Sequence, residues 1–226
     1  MRRIEKLSTG EIYHVYNKSI ADFKIFNTDT EYARMKNIIR YYSLTNTTVK
    51  FSHFLALKEV VEKGFLSHLA DITQGQEGPV QIIAYCTMPT HLHLIVKQLE
   101  ENGISTFMGN ILNSYSRYFN IKHKRKGPLW EGRFKAVLVE TDEQLLHVTR
   151  YIHLNPVTAN IVGKPEEWAW SSYQEYLSRV HDREKMCHYE DVLNIEPNSY
   201  RKFVEDRVTY QRELAKIKQW VIEEAP

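Results

Sequence analysis

Cysteine is scarce in this chain and long apolar runs are missing, and each absence narrows what the protein can be. Its two cysteines, Cys86 and Cys187, lie far apart and show no metal-ligand spacing. That argues against a disulfide-dense scaffold and against a cysteine-built zinc module. Cys86 follows the apolar stretch Ile82-Ile83-Ala84-Tyr85, where a buried free thiol is expected. No apolar run approaches the roughly 20 residues that a membrane-spanning helix needs. The basic start Met1-Arg2-Arg3-Ile4-Glu5-Lys6 leads into no apolar signal core. A reduced, cytoplasmic protein with no membrane partner is therefore expected. Charge of one sign is lacking too: 30 basic and 28 acidic residues leave a net +2, which identifies no partner. Internal repeats and low-complexity segments are absent.

What is present suits one domain with a sizeable core, or one domain plus a small appendage. The 42% hydrophobic and 26% charged content is ordinary for a globular protein. Within it, His91-Leu92-His93 opens the apolar run Leu92-Leu94-Ile95-Val96. On a strand, side chains alternate between faces, so both imidazoles point to one side. Such a pair can chelate a metal ion; it is equally compatible with two histidines on a polar sheet face. Between Arg117 and Lys135, seven basic residues stand against one acid, Glu131. They include Lys124, Arg125, Lys126, Arg133 and Lys135, and they are interleaved with Tyr118, Phe119, Trp130 and Phe134. Cations beside aromatics fit phosphate neutralisation with base stacking, or simply a solvated helix end and a basic turn.

The patterning predicts a strand over Ile12–Asn17 and a helix entered at Thr28-Asp29-Thr30-Glu31. A second helical region covers 51 to 73, broken at Gly64. Strands follow over Val80–Thr87 and His91–Lys97, joined by Met88-Pro89-Thr90 and so antiparallel. Ile104, Phe107, Met108, Ile111, Leu112, Tyr115 and Phe119 form the clearest helical stripe. A strand over Phe134–Val139 comes next. A helix then opens at Asp142-Glu143, and Pro156 is expected to end or kink it at Asn155. Trp168 to Tyr173 reads as aromatic packing. The tail from Asn198 to about Glu224 reads as a solvated helix. This order predicts an α+β, ferredoxin-like sandwich: a mainly antiparallel sheet with helices packed on one face, plus a C-terminal helical extension.

A histidine pair supplies only two ligands. His147, Tyr151 and Asn155 lie four apart on the helix from 142, so they share one face if it stays regular. A phenol and a carboxamide one turn apart can serve as nucleophile and oxygen ligand, or can simply pack.

Three segments in order then resemble a known family: Pro89-Thr90-His91-Leu92-His93-Leu94, Gly127-Pro128-Leu129-Trp130-Glu131-Gly132-Arg133-Phe134, and Arg150-Tyr151-Ile152-His153-Leu154-Asn155-Pro156. Tyr13-His14-Val15 and Trp168-Ala169-Trp170-Ser171-Ser172-Tyr173 add to the likeness. The chain resembles the single-tyrosine HUH transposases (IS200-like), most closely the REP-associated tyrosine transposase branch, over roughly residues 10 to 178. The resemblance implies a nuclease domain over 1–178, with a helical insertion at about 45–78 and an extension over 179–226. It implies a site-specific endonuclease and strand transferase acting on single-stranded DNA beside a REP-like hairpin. His91 and His93, with Asn155, would hold Mg²⁺ or Mn²⁺, and Tyr151 would form a 5′-phosphotyrosine. Arg133, Lys135, Arg125, Lys124 and Lys126 would contact DNA. A homodimer exchanging the tyrosine helix and a site complete within one chain both occur in such a family. A domesticated hairpin-binding protein without catalysis is the alternative expectation. Asn17-Lys18-Ser19-Ile20 departs from the Arg-Gly that the family often carries after its first strand.

Overall fold

Alternation along the first strand sets up the whole architecture. In β1 (Ile12–Lys18) Tyr13, Val15 and Asn17 are buried while His14, Tyr16 and Lys18 face the other way. The computed structural model describes residues 6–44 and 49–208. After β1 come α1 (Asp29–Leu44), the short helices α2 (Phe51–Phe54), α3 (Lys58–Lys63) and α4 (Phe65–Thr73), then β2 (Val80–Met88), β3 (His91–Gln98), α5 (Gly103–Lys122), β4 (Lys135–Val139) and α6 (Asp142–Thr158). Helices α7 (Tyr173–Tyr176) and α8 (Pro197–Glu205) complete the described elements. The 51 to 73 region is thus three helices, because the chain also leaves helical hydrogen bonding around Leu55–Leu57 as well as at Gly64. The helical tail expected beyond Val208 lies outside the described residues.

The four strands form one antiparallel sheet in the order β2-β3-β1-β4. With α1 and α5 as the two crossovers, this is the βαββαβ ferredoxin-like topology expected. Leu92, Leu94 and Val96 on β3 sit opposite Asn17, Val15 and Tyr13 on β1, and all are buried. Helices α1 and α5 pack on each other and reach the sheet, closing that apolar face. Helix α6 packs across β2 and β3 on the histidine side, an element beyond the one-face packing expected.

One buried carboxylate joins the two crossover helices. Glu31, at the start of α1, accepts from the Asn27 backbone N–H at 2.7 Å, from Lys122 at 2.8 Å, and pairs with His123 at 2.6 Å. Burial alone would push its carboxyl up. The bonds from Lys122, Asn27 and His123 and the Lys122 charge outweigh that and hold it at about 2. A carboxylate depressed from its ordinary 4.5 contributes stability above that pH and loses it as pH falls toward 2. Glu31→Gln is expected to cost about 1–3 kcal/mol at neutral pH. Urea denaturation should show the difference from wild type shrinking between pH 4.5 and 2; an equal difference throughout would disprove the role.

Helix α6 runs through Pro156 to Thr158 and does not end at Asn155, one of the two outcomes expected there. Proline removes only the bond to the Ile152 carbonyl. Residues Ile152 to Val157 are buried, and the Ala159 N–H still closes on the Asn155 carbonyl at 2.9 Å. Packing and the remaining bonds outweigh one missing donor this near the helix end.

Candidate active site

Register brings together side chains that no local pattern connects. Tyr16 lies opposite His93, and Lys18 opposite His91, so these share one face with His14. His14 Nε2 and His93 Nδ1 are 2.9 Å apart, and their rings stack with centres 5.1 Å apart. Burial lowers both imidazoles, His14 to about 4 and His93 well below its ordinary value, with His91 and His14 adding to the effect on His93. Burial also lowers His91, partly offset by Asp22. All three rings are therefore neutral at pH 7. Within the His14–His93 bond one nitrogen donates and the other accepts, which ties the tautomer of one ring to that of the other. His14 is the residue that sequence reasoning missed as a site member. Its place in the Tyr13-His14-Val15 segment was the signal available.

His91 and His93 hold their ring centres 5.1 Å apart at 89°, and the His91 Nδ1 lies 2.9 Å from the Thr90 hydroxyl. Two imidazoles bound to one ion at about 2.0–2.2 Å place their ring centres about 4.5–5.5 Å apart, so the spacing suits a shared ion. Among the described residues, no three His, Cys, Asp or Glu side chains form a ready metal cage. A third protein ligand would have to be of another type.

Tyr151 comes from α6. The helix starts at Thr141, whose hydroxyl accepts the Gln144 N–H at 3.1 Å, while the Gln144 side chain accepts from the Glu140 N–H. Asp142 and Glu143 in the first turn complement the helix dipole. Its position is then set by His153, which is buried and hydrogen-bonded to Tyr200 at 2.7 Å and to Ser172 at 2.8 Å. Ser172 in turn bonds the Tyr85 backbone of β2. His153 thus pins α6 to the sheet and α8, pointing away from the site as its spacing from Tyr151 requires. Tyr151 remains 47% exposed, edge-on to His93 at 6.0 Å and His14 at 6.4 Å between ring centres. Burial, and secondarily Tyr16, raise its phenol, so the free protein carries it protonated. Asn155, one turn further along, is 8% exposed, and its side-chain nitrogen has no partner.

The other expected site residues separate into two groups. Arg133 and Lys135, with Lys18, Asp22, His91 and His93, line an open cleft of ≈ 590 Å³. Asn155 does not line it. Lys124 and Arg125 line a different hollow, and Lys126 is exposed beside it. Arg125 donates to Asn120 Oδ1 and to the Pro128 carbonyl, so it holds the turn. His147 bonds Arg150 at the surface. Trp130 is buried and donates to the Leu112 carbonyl at 3.2 Å, a core residue as expected. Cys86 and Cys187 are buried free thiols. No helix among the described residues is long and apolar enough to cross a membrane.

Residues 47–155 match the family model described as Transposase IS200 like. Over that stretch the chain is similar to the IS200-like transposases. The matched segment contains His91, His93 and Tyr151 and ends at Asn155; His14 lies outside it. A curated relative from Haemophilus influenzae, described provisionally as a REP-associated tyrosine transposase, is 30% identical over 106 residues. That alignment takes in 42% of this chain and spans 60% of the relative's length. A solved structure of a REP-associated tyrosine transposase bound to a REP hairpin superposes with a TM-score of 0.50 at 16% identity. It covers 87% of this chain and 98% of the other, which shows that the two share a fold.

Proposed function

We propose that this protein is a metal-dependent, site-specific single-strand DNA endonuclease and strand transferase that acts beside a hairpin. The observation that carries this reading is the placement of Tyr151, about sixty residues from His91, over the histidines of the same chain. The hairpin substrate is suggested by the structural neighbour, which is bound to one.

In this reading His91, His93 and Asn155 hold Mg²⁺ or Mn²⁺; the histidine spacing fits a shared ion, and the Asn155 carboxamide oxygen would supply the third donor. Two imidazoles lean chemically toward Mn²⁺. The ion, when bound, polarises the scissile phosphate and stabilises its developing charge. His14 holds the tautomer and orientation of His93. Arg133 and Lys135 neutralise phosphates in the cleft. The Tyr151 oxygen attacks phosphorus and gives up its proton to solvent, which returns one to the leaving 3′ oxygen. The bond from phosphorus to the 3′ oxygen breaks, that oxygen leaves as a 3′-hydroxyl after taking a proton, and the 5′ phosphate stays on tyrosine. Because one phosphoester replaces another, rejoining needs no ATP.

The test is to incubate the full chain with a hairpin-bearing single strand and Mg²⁺ or Mn²⁺, then denature in SDS. A protein–DNA adduct whose linked residue maps to Tyr151 is expected. Hydrolysis without an adduct would replace this mechanism with water attack, and hairpin binding without cleavage would favour a binding protein. His14→Ala should raise the Mn²⁺ needed for half-maximal adduct by roughly 10- to 100-fold, the usual effect of losing a partner behind a metal ligand. An unchanged Mn²⁺ requirement would remove His14 from the site.

A further inference from the structure

A ridge separates the histidine cleft from a second hollow. The Glu131 N–H donates to the Lys18 carbonyl, the Ile20 N–H to the Leu129 carbonyl, and Ser19 pairs with Trp130. Lys18, Asp22 and Glu131 face the histidines. Immediately after Asp22 the chain contributes Phe23 and Lys24 to the other side. There they line a hollow of ≈ 680 Å³ with Phe119, His123, Lys124 and Arg125. The crossing is made by Ala21 (φ 49°) and Asp22 (φ 51°), a left-handed backbone that side chains of this kind adopt uncommonly. Strain of this sort concentrates at functional loops.

The hollow has the chemistry of a stacking site. Phe23 is 48% exposed, an unusual position for a phenyl ring. Its ring is held edge-on to Phe119 at 6.1 Å, with the Arg125 guanidinium 5.7 Å from its centre. Lys24 and Lys124 are exposed beside it, and Lys126 follows. None of the residues lining the hollow is acidic. The nearby Glu31 is buried and already bonded by Lys122 and His123. Arg125 is committed to its turn, so the free cations are the lysines. Exposed aromatic surface framed by unopposed cations fits a polyanion with flat faces, a single-stranded nucleic acid.

We propose that this hollow is a second nucleic-acid site, where one base of a single strand stacks on Phe23 and Lys24 and Lys124 hold the flanking phosphates. The proposal rests on the function above only for its continuation, a strand leaving the histidine cleft over the ridge. The base contact is sequence-tolerant, because every base has a face to stack.

The probe is a 20-mer oligothymidylate carrying single 5-iododeoxyuridines, mixed with the full chain. Irradiation should crosslink the strand to Phe23. Phe23→Ala should weaken binding at least fivefold and Phe23→Tyr should retain it; a stacking loss of this order is usual. Lys24→Ala with Lys124→Ala should lower the slope of log affinity against log salt by about two. Phe23 is half exposed, so its variants should fold, and circular dichroism checks that. Unchanged affinity in Phe23→Ala with crosslinks mapping elsewhere would overturn the site even if the Tyr151 adduct forms. Crosslinking at Phe23 in a protein that makes no adduct would keep the site and sink the catalytic reading.

Discussion

Tyr151→Phe is expected to abolish strand cleavage and the SDS-stable adduct while leaving hairpin binding within about twofold. The substitution removes one oxygen from a side chain that is 47% exposed and has no hydrogen bond to lose among the described residues. Its ring keeps the edge-on contacts with His14 and His93. Fold stability should therefore change by less than about 0.5 kcal/mol. Chemistry should fall at least about 10³-fold, since losing a nucleophile is among the most costly changes an active site can suffer. Gel analysis after SDS treatment reads cleavage and adduct together. Tyr16 supplies the sharpest control, because it lines the histidine cleft and its ring, like that of Tyr151, lies within about 6 Å of the His93 ring. Tyr16→Phe should keep the adduct. If the adduct survived Tyr151→Phe and vanished in Tyr16→Phe, the nucleophile would have been misassigned.

The second large effect is expected from His91→Ala. Of the two histidines flanking Leu92, His91 is the more exposed, and among the described residues it bonds only the Thr90 hydroxyl. Its loss should leave the His14–His93 bond and the sheet intact. His93→Ala removes a buried ring that stacks on His14 and Tyr16, and so mixes folding with chemistry. His91→Ala should reduce metal-dependent cleavage at least about 10²-fold and remove the Mn²⁺ binding seen by calorimetry in the absence of DNA. Hairpin binding measured in EDTA should stay as in wild type, because the proposed reading gives the phosphate contacts of the cleft to Arg133 and Lys135. Full metal-stimulated activity in this variant would place the ion elsewhere. The two substitutions also report on each other. Tyr151→Phe should still bind Mn²⁺, whereas His91→Ala should still present a phenol that cannot react.

Much of this was legible in order and spacing. Period-two alternation put His91 and His93 on one side of a strand, and the structure keeps them there. The run of elements predicted the ferredoxin-like sheet. The four-residue step from Tyr151 to Asn155 survived even though Pro156 argued for a helix end, since buried packing from Ile152 to Val157 outweighed one absent hydrogen bond. His14 was not legible as a site residue from periodicity, because a lone histidine in an alternating strand carries no mark beyond the likeness of the Tyr13-His14-Val15 segment. The basic stretch from Arg117 to Lys135 read as one patch; the turn held by Arg125 and the ridge at Leu129–Glu131 divide its Lys124–Lys135 part between two hollows.

By itself, then, the chain's sequence determined which side chains share a face of one strand or one helix, because those periods are set by backbone geometry over a few residues. Tertiary structure alone decided which faces meet. His14 reaches His93 across 79 residues through the β1–β3 register, and Tyr151 stands over its own chain's histidines because His153 bonds Ser172 and Tyr200. Those bonds join segments far apart in sequence, and their geometry follows from docking of whole elements rather than from any neighbouring residue.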